Sequence, residues 1–167
     1  MPDSRRSWLV ASGALLLGGC GFTLSRPTSY AFRTLYIAGA SLSPLGAELQ
    51  RQLQLGGALE VITDPRQIER ADLVLEFLQD LREKVIIGRT STGAVREYQL
   101  RLRVRFRVRN RDGIERIPEG ELEQRRDLTF NESFVLSKGA EEGLLYANMQ
   151  TEMVQQIMRR LAALQQI

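Results

Sequence analysis

Cationic side chains are the groups in this sequence that could most readily bind a ligand. Lysine and arginine together number 23, and all but Lys84 and Lys138 are arginine, so an anionic partner would meet planar guanidinium groups that can bind bidentately. There is no histidine, which removes Ser–His and Cys–His nucleophilic pairs and histidine metal ligands. Adjacent acids such as Glu141 and Glu142 point about 100° apart on a helix and do not converge on a substrate. We therefore expect a binding or assembly protein that is not an enzyme and needs no metal or cofactor.

The only cysteine, Cys20, follows a short hydrophobic leader. Arg5 and Arg6 precede an apolar run over residues 8–17, and the segment closes with Gly-Gly-Cys. This order of charge, short apolar run and small residues is typical of a secretory signal. The position of Cys20 resembles the lipobox of bacterial lipoproteins, where the thiol receives a diacylglycerol and the leader is cut just before it. The alternative is an ordinary signal peptide whose mature chain carries a buried cysteine.

The leader also predicts the boundaries and the location of the protein. Several acyl chains together anchor a protein stably, and glycine rather than aspartate at position 21 resembles the sorting rule for the outer membrane. We expect residues 1–19 to be a signal peptide, 20–30 an acylated tether and 31–167 a single domain, which suits a chain of 167 residues. No run of 18 or more apolar residues occurs, so we expect no permanent transmembrane helix.

The first half of the predicted domain alternates strands with a helix. Residues 32–37 and 59–63 have the composition of short strands. Ser43-Pro44 is a good helix start, and leucines four residues apart give the helix one apolar stripe before a Gly-Gly pair ends it. Residues 72–87 predict a long strand with Leu73, Leu75, Phe77 and Leu81 on one face, and residues 88–94 predict a hairpin tip.

The second half is dominated by one alternating strand. Between residues 98 and 109, apolar side chains alternate strictly with Gln99 and five arginines, which indicates a half-buried strand. The sequence then predicts a turn at 110–113, a strand over 114–130 that is interrupted near Pro118, and a helix over about 140–165. The buried side of this helix is predicted to consist of Leu144, Ala147, Val154, Ile157, Leu161 and Leu164. The fold class is α+β: two helices packed on one face of a mostly antiparallel four- to five-stranded sheet, a two-layer sandwich.

The arginines of the alternating strand require anions nearby. Alternate residues on one strand face lie about 6.6 Å apart, so Arg101 to Arg109 repel one another. Either a phosphate-bearing ligand or the protein's own acids lie opposite. Acids on the neighbouring strands suit cross-strand ladders: Glu76, Asp80, Glu115, Glu119, Glu121 and Glu123. Nucleic acid is not expected as a partner, because the leader directs the chain out of the cytoplasm.

Three further cations have no obvious internal partner. Arg89 and Arg96 flank the predicted hairpin tip, and Lys138 lies in the predicted turn before the last helix. Basic groups beside exposed backbone amides can bind phosphates, although solvated surface cations give the same pattern. These three residues are the candidate ligand-binding residues.

Several short motifs, in this order, resemble the LPS-assembly lipoprotein family LptE. The resemblance covers nearly the whole chain: Cys20-Gly21-Phe22-Thr23-Leu24, the spaced leucines of residues 45–55, Arg96-Glu97-Tyr98-Gln99-Leu100, Val135-Leu136-Ser137-Lys138 with Glu141-Glu142, and Ile157-Met158-Arg159-Arg160-Leu161. None of these motifs is a catalytic signature.

The resemblance implies a small α/β sandwich lodged in the lumen of the outer-membrane β-barrel protein LptD. Such a protein plugs the barrel, helps it assemble and contacts lipopolysaccharide on its way to the cell surface. The family's lipopolysaccharide contacts include a lysine before the last helix, matched by Lys138, and an arginine in the hairpin tip. That arginine position is Ser91 here, so Arg89 or Arg96 is expected to replace it. The alternative function is an auxiliary lipoprotein of a lipid ABC transporter.

Overall fold

A computed structural model describes residues 29–130 and 135–164 of the chain. Cys20, the leader and most of the tether lie outside the described residues. The elements, in chain order, are β1 (Thr34–Ala38), a 3-10 turn (Ala40–Leu42), α1 (Pro44–Gly56), β2 (Glu60–Ile62), a second 3-10 turn (Pro65–Arg70), β3 (Leu73–Arg89), β4 (Val95–Asn110), β5 (Glu115–Thr129) and α2 (Val135–Ala162).

The five strands form one mixed sheet in the order β2-β1-β3-β4-β5. β1 pairs in parallel with both β2 and β3, whereas β3, β4 and β5 form a long antiparallel meander. The predicted α+β class is therefore correct, and a mostly antiparallel sheet is compatible with this mixed sheet, in which only the short pairings of β1 are parallel. α1 supplies the crossover that the parallel neighbours β1 and β2 need. Pro118 lies within β5, where it is tolerated because β5 is an edge strand.

Helix α1 begins and ends where its sequence signals indicate. The Ser43 hydroxyl accepts a hydrogen bond from the Gly46 backbone N–H at 3.0 Å, and Pro44 occupies the first turn. Gly57 ends the helix with φ of 61°, a left-handed conformation that suits glycine. The three predicted leucines, Leu45, Leu49 and Leu53, are all buried.

Both helices share one core with the same face of the sheet, which we call the inner face. The alternating apolar residues of β4 from Leu100 to Val108 are fully buried in this core together with Leu35, Leu73 and Leu75, and Tyr98 is partly buried against it. The predicted stripe of α2 is confirmed at Val154, Ile157 and Leu161, which are buried, but Leu144 is 66% exposed and Ala147 is exposed. Met149 and Met153 are buried in addition. Counting methionine among the core residues gives the true four-residue repeat.

A β-bulge in β3 changes which residues face the helices. Leu78 has no partner in the β3–β4 register, where Phe77 pairs with Phe106 and Gln79 with Arg105. Residues on the tip side of this bulge therefore exchange faces relative to the simple alternation. The prediction that Leu81 shares the face of Leu73 is wrong for this reason: Leu81 pairs with Arg103 on the opposite, outer face.

Candidate functional site

The outer face of the meander carries the arginines of β4, which are matched by acids on both sides. Arg103 pairs with Glu83 on β3, and the Arg105 Nη1 lies 3.2 Å from an oxygen of Glu119 on β5. Ion pairs also join Arg107 to Glu115 and Arg125 to Glu123. The expected cross-strand ladder is therefore present, and internal acids neutralise most of the arginine row.

Glu76 is the central acid of this ladder. One carboxylate oxygen accepts from the Arg107 Nε at 2.6 Å and the other from the Arg109 Nε at 3.0 Å. Burial works to raise the pKa of Glu76, but the two hydrogen bonds and the two guanidinium charges outweigh it, so its pKa lies below the ordinary value. Glu76 therefore remains ionised in the folded protein at neutral pH.

Asp80 does not belong to the ladder, contrary to the prediction. The bulge at Leu78 turns Asp80 to the inner face, where its carboxylate accepts a hydrogen bond from the hydroxyl of Ser43, the N-cap of α1. Its role is to connect β3 to the start of α1.

The same bulge places a cationic and aromatic cluster on the inner face. Lys84 lies 4.3 Å from the centre of the Tyr98 ring and its Nζ is 2.6 Å from a Glu142 oxygen on α2. Tyr98 in turn packs edge-on against Phe130, with ring centres 5.3 Å apart. Sequence alternation places Lys84 on the outer face, so this cluster was not predicted.

The three candidate cations lie at one end of the molecule, which we call the tip end. Arg89 is the last residue of β3, and its Nη1 donates to the Gly93 carbonyl at 3.0 Å across the hairpin tip. Arg96, near the start of β4, is exposed. Lys138 lies inside α2 rather than before it, because this helix begins at Val135, and its Nζ is 2.7 Å from a Glu141 oxygen.

The direction of α2 explains why Lys138 reaches the tip end. Lys84 contacts Glu142, whereas Arg82, two residues further from the tip, contacts Gln150. The N-terminus of α2 therefore points towards the hairpin tip. Lys138 lies about 6 Å along the helix beyond Glu142, and Arg89 lies about 16 Å along the strand beyond Lys84. Lys138 and Arg89 therefore lie at the same end of the molecule but at different distances along the strand direction.

Exposed apolar side chains accompany these cations. Ile86 is 40% exposed and Ile87 is 44% exposed, and Ile87 has no partner in the β3–β4 register, where Ile86 pairs with Tyr98 and Gly88 with Glu97. Ser91, at the position of the family's tip arginine, is an exposed residue of the turn. The tip end therefore offers cations on a partly apolar surface, which suits a phosphorylated amphiphile.

Two structural findings bear on other kinds of site. Among residues 29–130 and 135–164, no helix is both long and apolar enough to cross a membrane. The same part of the chain has no cluster of three or more cysteine or carboxylate side chains that could hold a metal ion.

Comparison with known proteins identifies the family. The family model described as LptE, lipopolysaccharide-assembly, matches residues 32–161. The chain belongs to the LptE family. This family is a family of lipopolysaccharide-assembly lipoproteins rather than of enzymes, and the match confirms the resemblance that the sequence motifs indicated.

Solved structures of similar fold agree with the LptE assignment. The chain is 30% identical to lipoprotein B of Nitrosomonas europaea, with 86% of this chain and 91% of that chain covered and a TM-score of 0.73. Rare lipoprotein B of Shewanella oneidensis is 24% identical, with 78% and 95% covered and a TM-score of 0.64. A minor lipoprotein of Acinetobacter baumannii shares the fold at 20% identity, with 80% and 93% covered and a TM-score of 0.59. A search of curated protein sequences returned no match.

Proposed function

We propose that this LptE-family protein is an outer-membrane lipoprotein, acylated at Cys20, that plugs the LptD β-barrel, assists its assembly and binds lipopolysaccharide through the tip end. The observation that carries the proposal is the family match over residues 32–161. The arrangement of Lys138, Arg89 and Arg96 around exposed apolar residues supports the ligand, since lipopolysaccharide combines phosphates with acyl chains.

The ion pair that Lys138 makes is weak enough to be exchanged for a ligand. Glu141 lies three residues further along the same helix, and its side chain is 48% exposed. Such intrahelical pairs stabilise a helix by only about 0.2–0.5 kcal/mol. A phosphate group with a charge near −2 offers Lys138 a stronger partner than one exposed carboxylate. Lys138 can therefore change partners at little cost to the fold.

Arg89 and Arg96 suit the outer part of the same site. The hydrogen bond from Arg89 to Gly93 uses only one of its nitrogens and fixes the side chain over the turn. Arg96 makes no ion pair with any described residue within 4.0 Å. Their guanidinium groups are therefore available to phosphates at the hairpin tip, in place of the arginine that Ser91 replaces.

The ligand proposal is tested with the full chain in detergent and lipopolysaccharide carrying a fluorescent label. Lys138→Asp should weaken binding by about 10-fold or more, because it removes one charge-assisted contact and adds a repulsion. Arg111→Asp is the matched control: it changes the net charge equally but lies in the β4–β5 turn at the other end of the strands. Equal affinity of Lys138→Asp and the wild type would remove Lys138 from the site.

The partner proposal is tested by purifying the acylated protein from detergent extracts of cells. A large β-barrel protein should be recovered with it, and depletion should lower both the folded barrel and surface lipopolysaccharide. Recovery of an inner-membrane transporter complex instead would favour the auxiliary-lipoprotein function. Mass spectrometry of the mature protein should show an N-terminal, lipid-modified Cys20; an unmodified thiol would exclude the anchor.

A further inference from the structure

One arginine of β4, Arg101, has no ion pair in the ladder among the described residues and lies next to another arginine on the outer face. The β4–β5 register places Arg101 directly opposite Arg125. Both side chains project from the outer face, because the flanking residues Leu100 and Leu102 are buried on the inner face. Like charges directly opposite each other across two strands are destabilising.

Arg101 differs from the other arginines of β4 in its partners. Arg103, Arg105, Arg107 and Arg109 each have a carboxylate within 4.0 Å. Among the described residues Arg101 has none; its Nε donates to the Gln99 side chain at 2.8 Å, and its two terminal nitrogens donate to no described residue. The end of the guanidinium group therefore has no internal acceptor in this part of the chain.

The nearest acids are already occupied. Glu83 pairs with Arg101 in the β3–β4 register, but its carboxylate bonds Arg103. Glu123 accepts from both the Nε and the Nη2 of Arg125 at 2.8 Å. Asp127 accepts from the amide of Gln99 at 3.0 Å. A rearrangement that gave one of these acids to Arg101 would leave another donor unpaired.

We propose that Arg101 and Arg125 form a phosphate-binding site on the outer face of the sheet. A phosphate group has three oxygens and a charge near −2, so it can accept from both guanidinium groups at once. A carboxylate can also bridge two arginines, as Glu76 bridges Arg107 and Arg109 with one oxygen each, but a phosphate group adds a third oxygen and about one more negative charge. The half-buried Val85 lies opposite Gln99 on the same face, diagonally next to Arg101, so an alkyl group attached to the phosphate could contact it.

This site is separate from the tip end used in the proposed function. Lys138 belongs to α2, which packs on the inner face, whereas Arg101 and Arg125 lie on the opposite face of the same sheet. A result at one site therefore does not decide the other.

The direct test follows the side-chain Nε–H signals of Arg101 and Arg125 by NMR in the labelled full chain in detergent micelles. Inorganic phosphate is titrated against sodium chloride and sodium acetate at equal ionic strength. We expect saturable shifts of both signals with phosphate, and loss of the Arg125 shift in Arg101→Gln. Unchanged signals, or equal shifts with acetate at equal concentration, would overturn the phosphate site.

Thermal unfolding gives an independent readout with a matched control. Without phosphate, Arg101→Gln should raise Tm by about 1–4 °C, because it removes a repulsion without breaking an ion pair. Arg105→Gln, which breaks the pair with Glu119, should not raise Tm. Phosphate should raise the Tm of the wild type and of Arg105→Gln but not of Arg101→Gln. A lower Tm for Arg101→Gln without phosphate would show that Arg101 is already neutralised internally, and would refute the proposal.

A second titration identifies the source of the phosphate. Dodecyl phosphate diluted into dodecyl maltoside micelles is compared with inorganic phosphate on the same Arg101 signal. A half-saturating concentration at least tenfold lower for dodecyl phosphate assigns the site to a lipid headgroup. Equal concentrations assign it to free phosphate, and binding of dodecyl phosphate that survives Arg101→Gln unchanged would contradict the site.

Discussion

Replacing Glu76 by glutamine tests whether the ladder on the outer face stabilises the fold. The substitution keeps the shape of the side chain but removes the charge that two arginines share. Arg107 retains Glu115 at 3.6 Å, whereas Arg109 has no other carboxylate within 4.0 Å among the described residues. The main cost is therefore one partly buried guanidinium group that loses its charged acceptor.

The expected loss in free energy of unfolding depends on how exposed Glu76, Arg107 and Arg109 are. A hydrogen bond to a charged group contributes about 1.5–3 kcal/mol when shielded from water. Glu76 is 20% exposed, but Arg107 and Arg109 are 39% and 30% exposed, so solvent screening reduces this contribution. We expect Glu76→Gln to lower the free energy of unfolding by about 1–2 kcal/mol, or Tm by about 2–8 °C for a chain of this size.

The pH dependence makes the test specific to the Glu76 charge. Because the folded pKa of Glu76 is lowered, its contribution is complete above the ordinary glutamate pKa of about 4.3 and is lost as the pH falls through the folded pKa. Urea unfolding of both proteins should therefore show a constant difference from pH 7 down to about 5 and convergence at lower pH.

The control for this experiment is Glu121→Gln. Glu121 faces Arg105 in the register but is exposed and has no cation within 4.0 Å among the described residues. Its loss should change the free energy of unfolding by less than about 0.5 kcal/mol. If Glu76→Gln is no more destabilising than this control, or if its effect grows in acid, the ladder does not stabilise the fold as we argue.

Three further substitutions, with Gly56→Ala as a control, test the packing that positions the two faces. Ser43→Ala removes both the N-cap of α1 and the hydrogen-bond donor to Asp80. The free energy of unfolding in urea should therefore fall by about 1–2 kcal/mol. A loss of only about 0.3 kcal/mol would mean that water replaces both hydrogen bonds. Gly46→Ala would place a Cβ 2.9 Å from the Ala40 Cα and should cost about 1–3 kcal/mol, whereas Gly56→Ala meets no atom within 4 Å and should be neutral or stabilising. Met153→Ala should lower the free energy of unfolding, measured by calorimetry, by about 2–5 kcal/mol. A smaller loss would show that the neighbouring core residues move in and fill the cavity.

The regular parts of the fold were predictable because their chemistry repeats. β4 alternates residue by residue between apolar and charged side chains, so its two faces follow directly from the sequence. The N-cap and glycine signals of α1 are equally local. The parallel pairing of β1 with β3 was not predictable from such patterns, because it joins Leu35 to Leu73 over a long stretch of chain and leaves no local signal.

The bulge at Leu78 is the main reason why the candidate site could not be fully predicted from the sequence. A bulge adds one residue to a strand without changing its composition, so the apolar Leu78 fits either register. All assignments beyond it, including Leu81, Asp80 and Lys84, then depend on a backbone feature that alternation alone does not show. Lys138 was singled out first as a cation without an obvious partner and then through the family motif, but its place inside α2 depends on where the helix starts, and helix ends are the least certain part of a sequence pattern.

In the half of β3 nearest the hairpin tip, one edge has no neighbouring strand among the described residues, because β1 pairs with β3 only as far as Glu76. Unpaired strand edges invite association between molecules. Here the Tyr146 hydroxyl on α2 donates to the Glu83 carbonyl at 2.7 Å and ties α2 to this half of β3, while the charged Lys84 and the bulge at Leu78 make the edge a poor template. Tyr146 thereby couples the helix to the half of β3 whose edge is open, so that α2 holds this strand in place as well as covering the core.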